Sequence, residues 1–67
     1  MKITLNNRPE EFIGSEITVS EMLEVKKYSF KMLVIKLNDK VIMKDEYSST
    51  FIKEGDNIFV IHLMSGG

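Results

Sequence analysis

Sixty-seven residues make one domain, close to the lower limit at which a chain buries enough apolar surface to fold without a staple. The absence of cysteine excludes disulfides, thiolate metal sites and a cysteine nucleophile, and a single histidine argues against a zinc site. Nine basic residues against ten acidic ones, a net charge of −1 with no basic block, argue against nucleic acid as the main partner.

Met1 to Asn6 alternates, with Ile3 and Leu5 on one face and Lys2, Thr4 and Asn6 on the other, as a half-buried strand does. Asn7-Arg8-Pro9 reads as a turn, and Glu10 to Ile13 as a short returning strand with Pro9 at its start, where a missing amide donor does little harm. Gly14-Ser15-Glu16 breaks the pattern. Thr18-Val19-Ser20-Glu21 has the spacing of a capping box, with Ile17 and Met22 at the positions of a hydrophobic staple. Val19, Met22 and Leu23 then form one apolar stripe, with acids leading and Lys26-Lys27 closing, so a helix is predicted from about Val19 to Lys27.

Lys31 to Leu37 carries Leu33, Ile35 and Leu37 on one parity and Val34 and Lys36 on the other, a third strand with a core face and a mixed face. Asn38-Asp39-Lys40 is a turn and Val41-Ile42-Met43 a brief fourth strand. Asp45 to Ile52 has no clean period and is expected to be a loop with one helical turn. Glu54-Gly55-Asp56-Asn57 makes a tight turn into a final strand, Ile58 to Met64. The chain closes on Ser65-Gly66-Gly67.

A mixed sheet of four or five strands curling over one helix is the two-layer arrangement that buries these apolar faces with the fewest residues. The fold class is α+β, and the element order resembles the β-grasp, or ubiquitin-like, fold. Residues 1–64 are expected to form the single domain, with 65–67 a flexible diglycine tail. No apolar stretch approaches the ~20 residues a membrane span needs, and Met1-Lys2-Ile3 begins a strand pattern instead of a signal peptide. The expected location is the cytoplasm, with no membrane partner.

Within that fold the chain resembles the ThiS family of small sulfur-carrier proteins of thiamine thiazole synthesis, with the molybdopterin sulfur carriers as near cousins. The resemblance rests on Ile3-x-Leu5-Asn6, Ile17-Thr18-Val19, Leu37-Asn38, Val41-Ile42 with Lys44, Gly55-Asp56-x-Ile58 and Gly66-Gly67. Two departures are Met43-Lys44, where proline and arginine are common, and Ser65, where a small apolar residue is common.

The resemblance implies a chain that is not itself an enzyme. Its Gly67 carboxylate would be adenylated by an E1-like, ThiF-like adenylyltransferase using ATP and magnesium, with no cofactor bound by the carrier. A sulfur donor such as a cysteine desulfurase would supply the sulfur, giving a thiocarboxylate that a ThiG-like thiazole synthase consumes. Gly66 and Ser65 would thread the tail through the partner's cleft, where the missing Cβ of Gly66 permits close approach.

The final strand is apolar on both parities, with Phe59, Ile61 and Leu63 on one and Ile58, Val60, His62 and Met64 on the other. Parity alone does not choose between them. By resemblance to ubiquitin-like folds, Ile58 and Val60 are assigned to the core, and Phe59, Ile61 and Leu63, with Val34, to the partner-docking face.

No nucleophile or carboxylate constellation accompanies His62. The acid pairs Glu10-Glu11 and Asp45-Glu46 read as solvated faces, and the five methionines as core and interface filler. Other readings are a carrier for molybdopterin or another thiolation pathway, a modifier conjugated to lysine, and a β-grasp interaction module whose tail is idle.

Overall fold

In the computed structural model, which describes residues 1–28 and 32–63, the opening alternation becomes a hairpin of β1 (Lys2–Leu5) and β2 (Arg8–Glu11). The turn falls earlier than predicted. Asn6 and Asn7 both take left-handed backbone, at φ 52° and 65°, which closes a two-residue loop matched to the strand twist and which asparagine tolerates better than most residues. The returning strand therefore starts at Arg8 instead of Glu10, with Pro9 inside it. Strand β2 is an outer strand of the sheet, where proline is permitted.

After a glycine-containing bend come β3 (Glu16–Thr18) and helix α1 (Val19–Val25). The capping box is complete: the Glu21 amide donates to Thr18 Oγ1 at 3.1 Å and the Thr18 amide donates to the Glu21 carboxylate at 3.0 Å. The bonds from the Thr18 backbone and hydroxyl lower the Glu21 pKa from its ordinary value. A lowered folded-state pKa contributes stability above the unfolded value that is lost as pH falls through the folded one. Thr18→Ala is expected to cost about 1 kcal/mol in urea denaturation at neutral pH, with a smaller deficit in acid. An unchanged midpoint at neutral pH would mean the cap carries nothing.

The helix stops two residues short of the predicted Lys27. Lys27 is left-handed at φ 59°, its amide bonds the Glu24 carbonyl and that of Tyr28 bonds the Leu23 carbonyl, the pattern of a Schellman stop. The Lys26 ammonium meets the Glu10 carboxylate at 2.6 Å, tying the helix end to β2. Glu10, still partly exposed, thus serves as an ion-pair partner as well as a surface carboxylate, and Glu46 accepts from the Met43 amide.

Strand β4 (Leu33–Leu37) begins later than the predicted Lys31, which lies outside the described residues. It turns through left-handed Asn38 and Asp39 into β5 (Lys40–Ile42). A 3₁₀ turn over Lys44–Glu46 supplies the expected helical turn. Strand β6 (Phe51–Lys53), which the sequence pattern missed, pairs with β3. Gly55, at φ 83°, makes the turn into β7 (Asn57–His62).

The main sheet has the order β2-β1-β7-β4-β5, with β1 and β7 parallel and the other neighbours antiparallel. It is a five-stranded mixed sheet with one helix, an α+β β-grasp. Val19 and Met22 of α1 are buried with Ile3, Leu5, Ile35, Ile42, Ile58 and Val60 of the sheet, so the inner face of β7 is the one assigned to the core.

Candidate functional site

The entrance to β7 is held by side chains from three turns. The Asn57 amide donates to Asn38 Oδ1 at 2.8 Å, Asn38 Nδ2 donates to the Asp56 carboxylate at 3.0 Å, and the Lys53 amide donates to the other oxygen of that carboxylate at 2.8 Å. Beyond the end of β1, Asn6 Oδ1 accepts the Val60 amide at 2.8 Å, in place of the ladder bond that a longer strand would have made. These polar residues, singled out as motif positions, are fixtures of the strand that leads toward the chain end.

That strand presents a second apolar face. With Ile58 and Val60 turned inward, Phe59 and Ile61 project outward, opposite Lys36 and Val34 of β4. Leu63 continues the row beside Met32, to whose carbonyl its amide donates. On the far side of β4, Val41 stands opposite Lys36, and continuing that register places Met43 opposite Val34. The exposed members Met32, Val41, Met43, Ile61 and Leu63 retain 44–61% of their accessible surface, so helix α1 covers none of this face. A contiguous apolar surface rimmed by polar residues marks an interaction site more often than scattered exposed side chains do.

At the end of the sheet from which β7 leaves, Leu33, Val34, Val41, Ile42, Met43, Lys44 and Tyr47 line a shallow groove of about 350 Å³. Tyr47 stands at one side of it, where partial burial raises its phenol pKa above the ordinary value. No group of histidine, aspartate and glutamate suited to a metal occurs among the described residues. No helix among them is long and apolar enough to cross a membrane.

The structure brings Phe59, Ile61, Leu63 and Val34 onto one surface, as their assignment requires. Met32, Val41 and Met43 share it and were missed, although Val41 and Met43 flank the inward Ile42 on the opposite parity. Ser65, Gly66 and Gly67, the predicted tail and acyl site, lie outside the described residues, as does Met64 at the predicted end of the last strand. His62 falls on the inner parity, exposed at the strand's end.

Among curated proteins, none matches the chain. Solved structures do. The crystal structure of the thiamine biosynthesis protein ThiS from Geobacter metallireducens aligns with a TM-score of 0.89 at 28% identity, over 100% of each chain. An NMR solution structure of a thiamine biosynthesis protein from the same organism gives 0.79 at 28% identity, over 100% of this chain and 88% of that one. The family model of ThiS matches residues 3–67, from the first strand through both terminal glycines, and the chain belongs to the ThiS family.

Proposed function

We propose that this ThiS-family carrier works through a C-terminal thiocarboxylate on Gly67 that supplies the sulfur of a thiazole ring in thiamine biosynthesis. The observation that carries the reading is the family match extending through Gly66 and Gly67 on a fold with an uncovered apolar face along the strand preceding them. A free α-carboxyl group has a pKa of about 3.3–3.7. At neutral pH it is ionised and a poor electrophile.

Activation therefore belongs to a partner, an E1-like adenylyltransferase that brings ATP and magnesium. The carboxylate oxygen attacks the α-phosphorus, pyrophosphate leaves, and Gly67 becomes an acyl-adenylate. Attack on the acyl carbon by the terminal sulfur of a donor persulfide expels AMP and gives an acyl disulfide, which a second thiol cleaves, releasing the thiocarboxylate and leaving the two thiols joined as a disulfide. A cysteine desulfurase fits as the sulfur source and a thiazole synthase as the acceptor. The carrier's own residues bind and present: the outer sheet face docks, and Gly66, with no Cβ, lets the tail enter a narrow cleft. Because ordering a tail lowers affinity, the sheet face supplies most of the docking energy.

The test is intact mass after incubation with the adenylyltransferase, ATP, magnesium and a sulfur source. A gain of about 16 mass units, oxygen replaced by sulfur, is expected on Gly67. An unchanged mass with a competent partner present would refute the reading.

A further inference from the structure

Among the described residues that project from the outer face of β4, β5 and β7, Asn57 at the start of β7 is polar and one alone is charged. Lys36 lies on the middle strand, with Phe59 directly opposite on β7 and Val41 directly opposite on β5. It is half-buried, as expected where a lysine stem lies along apolar neighbours and only the ammonium reaches water. It forms no ion pair or side-chain hydrogen bond with another described residue. The ion pair present among those residues, Lys26 with Glu10, joins the helix end to β2.

We propose that Lys36 is a specificity-determining residue of the docking face, whose ammonium pairs with a single carboxylate set in an otherwise apolar surface of the partner enzyme. The inference rests on the reading that this face docks that enzyme. Any surface that covers Phe59 and Val41 also strips water from the charge between them. An ammonium buried without a counter-charge is strongly unfavourable, so a productive partner must place an acceptor there. A carboxylate answers both the charge and the hydrogen-bond donors.

The same charge discriminates against wrong partners. A second copy of this chain is one of them. A two-fold interface centred on the face would bring two Lys36 side chains toward each other, where the described residues of β4, β5 and β7 project no acid; the outward carboxylate of Glu11 lies two strands beyond β7, on β2. Lysine on an exposed apolar sheet surface thus keeps the carrier monomeric until a complementary enzyme arrives.

The experiment measures binding to the adenylyltransferase of the same organism by calorimetry, for wild type, Lys36→Met, Lys36→Arg, Lys36→Glu and Phe59→Glu, with a thermal midpoint for each. Lys36→Met is expected to weaken binding by about 30-fold or more, because it leaves the partner's carboxylate buried and unpaired. Lys36→Glu should weaken it further, and Lys36→Arg should stay close to wild type, with all midpoints unchanged. Wild-type affinity in Lys36→Met, combined with lost binding in Phe59→Glu, would overturn the role of Lys36 and leave the docking face standing. Unchanged binding in both would overturn the docking face as well. A wild-type dimer in sedimentation that Phe59→Glu dissociates would also overturn the inference, since the face would then accept its own copy.

Discussion

Deletion of Gly67 is expected to leave the thermal midpoint where it is and to abolish ATP-dependent adenylation. The buried apolar side chains among the described residues run from Ile3 to Val60, so removing the final residue takes nothing from the core. The shortened chain still ends in a glycine carboxylate, chemically identical to the lost one. What changes is reach: one extended residue spans about 3.3–3.6 Å. Reacting atoms must come within about 3–3.5 Å of each other in a near-attack geometry, so a docked chain one residue short holds its oxygen too far from the α-phosphorus. Comparison of AMP transfer to the full and shortened chains decides the matter. Equal transfer would rule out a tail measured to the active site and, with it, Gly67 as the acyl carrier.

The second large effect is expected at Ile35, which is fully buried on the middle of β4 with Val60 opposite on one side and Ile42 on the other. Truncation of a buried isoleucine to alanine costs about 2–5 kcal/mol through lost transfer energy and the cavity left behind. A domain of this size has a total stability of only about 3–10 kcal/mol, so Ile35→Ala should lose much of its cooperative transition. Its neighbour Val34 projects to the other side, and Val34→Ala should cost less than about 1 kcal/mol. Urea titrations of the two variants test the facing of the whole strand. A similar loss for both would mean that the outer face is covered after all.

What the sequence disclosed, and what it withheld, follows the range of the interactions concerned. The alternation of Ile3 and Leu5 and the capping box of Thr18 and Glu21 are local, and both were legible. The pair β3 and β6 was not, because each is three residues long and holds a single inward isoleucine, Ile17 or Ile52. Three residues cannot establish a period of two, and each pairs with a segment about 35 residues away along the chain, Ile17 with Ile52. Glu16 to Thr18 therefore read as the approach to a helix.

The outer face shows the same limit. The two parities of β7 are almost equally apolar, and resemblance to known folds, not periodicity, assigned Ile58 and Val60 to the core. Val41 and Met43 join Phe59 and Ile61 only through the registers of two successive strand pairs, which no local pattern encodes. Lys36 read as an ordinary polar position on a mixed face. Its isolation is visible only once its cross-strand neighbours are known to be Phe59 and Val41.

The placement of β7 in the sheet also has a bearing on biosynthesis. Strand β7 leaves the ribosome after β1 to β6 yet runs beside β1, pairing Thr4 with Asn57 and Leu5 with Ile58, and separates the hairpin of β1 and β2 from that of β4 and β5. Until it emerges, the nascent chain holds two disconnected hairpins, and contacts this distant in sequence form slowly. A chain interrupted before Asn57 has no central strand on which to close the sheet. Since that strand also supplies Phe59 and Ile61, the apolar outer face comes into being only with the completed fold.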